Sequence, residues 1–177
     1  MRHISTKSNI MVAEVPTGFA DIYEKPYFAV EYQEEIKKAN LLLIPSENIR
    51  EGMEPVFPEF TSDFLRYLRA NAGEGVVVDI AVDDANYRRL VLHSSPVALA
   101  TMVVRDKILE QCADLVVGFL KEMADGNQRY EDEMDTYVNI IVEGEDFIRK
   151  IMFTGRVSEC REALDLAIQE VFRGGAR

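Results

Sequence analysis

Apolar positions along the chain fall into short blocks separated by proline, glycine and acidic residues, and the spacing within each block predicts an element. Ile10 to Val15 is a short apolar run and reads as a first strand, ended by a loop that contains Pro16, Gly18 and Pro26. Phe28, Tyr32, Ile36 and Ala39 recur at helical spacing and predict a helix from Phe28 to Ala39. Leu41 to Ile44 is continuously apolar and closed by Pro45, the pattern of a strand covered on both faces. Ser46 to Phe60 follows as a loop of fifteen residues, longer than most connections and so a place to look for function. Thr61 or Ser62 is expected to cap a helix whose buried stripe is Phe64, Leu65, Leu68 and Ala72, with Gly73 and Gly75 as its stop.

Beyond residue 75 the pattern carries a weak echo of itself at an offset of 60 residues. Val78 to Val97 aligns with Val138 to Val157, with identities at Val78/Val138, Ile80/Ile140, Val82/Val142, Arg89/Arg149 and Val97/Val157. In each copy alternating Val and Ile predict a strand, because successive side chains point to opposite faces. Asp84-Ala85-Asn86 and Glu143-Gly144-Glu145-Asp146 supply the turns, and Tyr87 to His93 and Phe147 to Phe153 the return strands. Ser95-Pro96 opens a predicted helix that runs to Ala124, and Ser158 caps a last one with Ala163, Leu164, Ala167, Ile168, Val171 and Phe172 inward.

These elements predict an α+β fold, with mixed α/β as the variant. Two ββα units, 76–126 and 136–174, form a largely antiparallel sheet; an N-terminal β-α-β-α segment over 1–75 adds one or two strands; helices pack on the sheet. The Leu41 strand, the Phe64 helix and the Val77 strand are expected to form a parallel crossover, and the whole to be one compact domain. Residues 97–124, read as one helix, carry more apolar surface than one sheet face needs. That face is expected to be buried between layers of the same domain, as helices that cover a sheet are, with packing against a partner or a second copy as the alternative, for which Leu99, Val103, Leu109 and Val116 are the candidates.

Composition narrows the function classes. Of 177 residues, 47% are hydrophobic and 29% charged, an ordinary globular mixture. The formal net charge of −11 argues against nucleic acid, which calls for basic patches that release phosphate counterions. From Lys121 to Asp146 there are nine carboxylates against Lys121 and Arg129, a solvated face or a docking face for a basic partner. No apolar run approaches the ~20 residues of a membrane span, and the first residues lack the apolar stretch of a secretory leader. Cys112 and Cys160 sit on predicted helices as buried thiols. A cytoplasmic protein without membrane contact is expected.

Catalytic chemistry has little to stand on. His3 is at the start of the chain, and His93 aligns with Phe153, so its slot suits an aromatic body. No G-x-S-x-G elbow, phosphate-binding glycine loop or closed zinc ligand set is present, and no cofactor is expected. The acidic turns, Asp83 and Asp84 in one copy and Glu143, Glu145 and Asp146 in the other, offer oxygen ligands for a hard divalent cation. The best-placed candidate ligand site is the loop 46–54 after the buried strand. There Ser46, Glu47, Asn48 and Arg50 combine an acid or base, an orienting amide and an anion contact. Arg89 and Arg149 share one repeat position and are expected to pair with a carboxylate of their own hairpin. The sequence thus predicts a non-catalytic protein-interaction or self-associating module, homodimer included. A ligand site or enzyme in loop 46–54 is the alternative, and a carboxylate metal site at the acidic turns the third reading.

Overall fold

A computed structural model describes residues 8–47, 52–90, 97–126 and 135–173. One mixed sheet organises them. Its strands are β1 (Asn9–Glu14), β2 (Leu41–Ile44), β4 (Val78–Ile80), β6 (Val97–Ala98), β7 (Thr101–Arg105), β8 (Asp135–Glu143) and β9 (Ile148–Arg156); β3 (Phe57–Pro58) and β5 (Arg89–Leu90) form a separate small pair. The order across the main sheet is β1-β9-β8-β7-β2-β4, with β6 beside β8. Pairing is antiparallel for β1/β9, β9/β8 and β2/β7, and parallel for β7/β8, β6/β8 and β2/β4. The helices are α1 (Phe19–Tyr23), α2 (Gln33–Ile36), α3 (Thr61–Asn71), α4 (Leu109–Gly126) and α5 (Val157–Arg173). Mixed α and β content is as expected, and the sheet crosses the residue-75 boundary because β2 lies between β7 and β4.

The central strands are buried on both faces. Leu41 and Leu43 join Met102 and Val104 in the core under α3, α4 and α5, while Leu42 and Ile44 join Val103 in a second cluster with Phe19, Ile22, Phe28 and Ile36. This is the arrangement the unbroken Leu41–Ile44 run predicts. The β2–α3–β4 connection is the expected parallel crossover: Leu41 lies opposite Val78, and Leu43 opposite Ile80. Helix α3 carries its stripe as read, with Phe64 and Leu68 fully buried. The Thr61 hydroxyl does not cap the helix but donates to the Pro58 carbonyl at 2.8 Å.

Four expectations are corrected. The two repeat copies fold differently. Val138, Ile140 and Val142 are buried in a long β8/β9 hairpin followed by α5, but β4 and β5 belong to different sheets and form no hairpin. The expected helix start, Ser95-Pro96, lies outside the described residues; of the rest of that predicted helix, Val97–Arg105 is strand apart from Leu99 and Ala100, and α4 begins at Leu109. A strand buried on both faces shows no period of two, and its β-branched residues (Val97, Thr101, Val103, Val104) decide for strand. The helix expected over Phe28–Ala39 is broken into a 3₁₀ turn, Val30–Tyr32, and α2; Phe28, Ile36 and Ala39 are buried, but Tyr32 is 53% exposed. Phe172, placed in the α5 core stripe, is exposed, with its ring edge-on to Phe147. No described helix is long and apolar enough to cross a membrane.

Candidate functional site

The residues expected at an interface have another use. Leu99, Val103, Leu109 and Val116 are all buried in the chain's own core, so none is presented to a partner. The wide apolar face belongs half to β7, which is covered on both sides, and half to α4, which packs on the sheet between α3 and α5. The thiols of Cys112 and Cys160 are free and buried, and burial pushes both up to about 12.

The carboxyl end of β2 holds part of the predicted loop site. Ser46 exchanges backbone hydrogen bonds with Val56 at 2.8 and 3.1 Å, which fixes the loop's entry against its exit. The Glu47 carboxylate pairs with Lys25 Nζ at 3.2 Å. Beside it the Tyr27 hydroxyl is buried and has no hydrogen-bond partner among the described residues, and its pKa is raised by burial first and by the Glu47 charge second. Lys25 and Tyr27 come from the loop after α1, and no local pattern links them to Glu47. Asn48 and Arg50 lie outside the described residues, as does His93.

Two carboxylates of the acidic turns, Asp83 and Glu143, are engaged in structural bonds. Asp83 Oδ1 accepts from the Asn86 backbone N–H at 2.8 Å and from its side-chain amide at 2.7 Å. Glu143 accepts from the Phe19 N–H at 3.1 Å and from the Arg105 guanidinium, which also lies over the Phe19 ring at 4.0 Å. Asp84, Glu145 and Asp146 are exposed. Among the described residues no group of three or more His, Cys, Asp or Glu side chains gathers as metal ligands do. The expected pairing of the repeat arginines within their own hairpins is also revised. Arg149 donates to the Val171 carbonyl of α5, lies over the Phe147 ring at 4.6 Å and approaches Glu14 of β1 at 3.7 Å. Arg89 is exposed on the small β3/β5 pair.

A site that sequence reasoning missed lies between α3 and α4. The two helices leave a groove of about 490 Å³, within the range of about 300–1,000 Å³ usual for binding clefts. Tyr67 and Phe119 form its wall, with ring centroids 5.4 Å apart, and Phe64 braces Phe119 from below at 4.9 Å. Phe60 and Met123 extend the apolar lining. Asp63, Arg66 and Glu122 stand around it, with Arg66 3.6 Å from Asp63; burial, and after it the Glu122 charge, raises the Tyr67 pKa. Asn71 ties the end of α3 by donating to the Tyr67 carbonyl at 2.9 Å. The local signal was Gly118, a glycine inside a strong helical pattern, which marks a close approach. A smaller hollow of about 150 Å³ lies beyond α3, between Leu65, Val82 and Tyr87.

Among the described residues the groove shows no nucleophile–base pair and no cluster of metal ligands; it offers shape, aromatic surface and carboxylates. Comparison with known proteins finds no matching family model, no matching curated protein and no matching solved structure.

Proposed function

We propose that the chain is a non-catalytic protein-interaction module, acting in the cytoplasm, whose α3–α4 groove receives a short segment of a protein partner. The segment carries one bulky apolar side chain flanked by lysine or arginine. The observation that supports this reading is the groove itself: Tyr67, Phe119 and Met123 form an apolar wall beside the carboxylates of Asp63 and Glu122. Aromatic and methionine surfaces with charge at the rim are the usual make-up of an anchor pocket. A net charge of −11 draws a basic segment toward the chain and repels an acidic one. The two free, buried thiols agree with a reducing compartment.

The test is an NMR titration of the labelled chain with two short peptides, one with phenylalanine between lysines and one with phenylalanine between glutamates. The basic peptide is expected to shift amides of α3 and of the end of α4, and the acidic one to shift none. The charge reversals Asp63→Lys and Glu122→Lys, both on helix surfaces, are expected to weaken the basic peptide at least tenfold. Equal response to both peptides, or shifts confined to other elements, overturns the reading.

A second reading, a small polar ligand at the carboxyl end of β2, is favoured by the Tyr27 hydroxyl beside Glu47, which has no partner among the described residues. A buried hydroxyl left without a partner costs about 1–3 kcal/mol, which a ligand oxygen or nitrogen would recover. Tyr27→Phe and Glu47→Gln should then each remove a ligand-induced thermal shift found in a metabolite screen. A shift that survives both changes excludes this location.

A further inference from the structure

The two edges of the sheet are treated differently. At the β4 edge the Ala81 N–H donates inward to Leu43, so the Ile80 N–H faces outward, where the Asp79 carboxylate accepts it at 2.8 Å. Just before the strand, the Val77 N–H is taken by Asn40 Oδ1 at 2.8 Å, and Asp79 is held by Arg69 at 3.2 Å. Three residues, a charge pair and consumed donors make an edge on which no further strand can be laid.

The β1 edge shares only one of these devices, a charge pair, and that stands at its last residue, where Glu14 lies 3.7 Å from Arg149. It is six residues long, Asn-Ile-Met-Val-Ala-Glu, without proline or lysine, and its one charge stands at its end. The Val15 N–H donates to Ile148, and the regular register of β1 on β9 carries that phase back along the strand. Asn9, Met11 and Ala13 therefore bond inward to β9, and the backbone groups of Ile10, Val12 and Glu14 face outward. Among the described residues β1 pairs with β9 alone. On the sheet face away from α5, Met11 is 52% exposed and lies in register with the half-buried Met152.

We propose that β1 pairs edge to edge, antiparallel, with β1 of a second copy of this chain, joining the two sheets into one. The two-fold passes between the two Val12 residues. In that register each outward residue meets an outward residue of the second copy: Val12 opposite Val12, Ile10 opposite Glu14. Met11 then lies beside Ala13 of the second copy, so the Met152–Met11 strip continues across the axis. A strand in this phase is its own complement, which is what an isologous contact needs. Charge does not forbid it, because Glu14 is the only ionised side chain on the strand and lies 3.7 Å from Arg149. This contact is independent of the α3–α4 groove.

Sedimentation velocity on the full chain across the micromolar range tests the pairing, with hydrogen exchange as a second readout. The expected result is a concentration-dependent dimer, with the Ile10, Val12 and Glu14 amides more protected at high concentration. Val12→Pro removes an outward N–H without touching a β9 bond and is expected to give a folded monomer. Met11→Lys places a lysine at the junction on each side of the two-fold; it is expected to weaken association at least tenfold while leaving the circular dichroism spectrum unchanged, and it decides the matter should the proline variant fail to fold. A wild-type chain that stays monomeric throughout the range overturns the proposal, and so does a folded Met11→Lys chain that associates as well as wild type.

Discussion

Gly118 on α4 lies directly beneath the Tyr67 hydroxyl of α3: a β-carbon at that position would overlap the phenol oxygen and stand 3.4 Å from Cζ. The glycine sits mid-helix, where replacing it by alanine ordinarily stabilises by about 1 kcal/mol. Here the new methyl must displace the tyrosine tip. Gly118→Ala is therefore expected to gain clearly less than that amount in the wild-type background and the full amount in a Tyr67→Phe background. Urea unfolding of the four chains of this cycle checks it. Equal gains in both backgrounds would show that the hydroxyl does not hold the helices apart.

A second close approach holds α1 to the sheet. A β-carbon on Gly18 would overlap Glu143 Oε1 and come within 2.8 Å of Ile148 Cδ1. The same carboxylate accepts the Phe19 N–H and the Arg105 guanidinium. Gly18→Ala should cost about 1–3 kcal/mol, the usual range for overpacking. Glu143→Gln, which keeps the shape and loses the charge, should cost less, because Arg105 is partly exposed and retains water. Chemical denaturation of both variants gives the order, and a Gln variant costlier than the Ala variant contradicts it.

The elements that could be read from the chain were those whose burial leaves a period. Val138, Ile140 and Val142 alternate because β8 sends that set under α3, α4 and α5, while Tyr137 and Asn139 of the other set stay partly or largely exposed and only Ile141 among them is buried; α5 shows a helical stripe because it too buries one side. Leu41 to Ile44 was readable for the opposite reason, being apolar without interruption between breakers. Val97 to Arg105 was not. Buried on both faces, β7 carries no alternation, and Val97, Thr101, Val104 and Ile108 happen to continue the α4 stripe backwards at helical spacing. The sites were harder still. The groove needs Tyr67 and Phe119 from different helices, and Glu47 meets Lys25 and Tyr27 only through the packing of α1 and its following loop. Glu14 approaches Arg149 because β1 returns to pair with β9, a long-range pairing that no local pattern announces.

Arg149 joins three elements at one point: it donates to the Val171 carbonyl in the last turns of α5, lies over Phe147 and faces Glu14 of β1. Its side chain is almost fully buried. Lysine lacks the planar fork that serves a carbonyl and an aromatic face together, so Arg149→Lys should lose most of what Arg149→Ala loses. The expected cost of either is about 2–3 kcal/mol, in the range for hydrogen bonds to charged groups. Glu14→Gln should cost little, since that carboxylate is largely exposed. Thermal unfolding of the three variants tests the ranking, which fails if Glu14→Gln equals Arg149→Ala.

The buried thiols give a pH dependence with a definite sign. Burial raises Cys112 and Cys160 from 9.0 to about 12 in the folded chain. The folded state thus holds its thiol protons more tightly than the unfolded state. Their contribution to stability is fully present below pH 9 and is lost as the pH rises from about 9 to about 12, because only the unfolded thiols ionise in that window. Unfolding free energies measured from pH 8 upward should fall with pH, and a chain carrying Cys112→Ala and Cys160→Ala should fall less steeply. The same protection makes both thiols slow to react with a disulfide reagent at neutral pH until denaturant is added. Rapid labelling of the folded chain, or identical pH slopes with and without the thiols, would contradict the assignment.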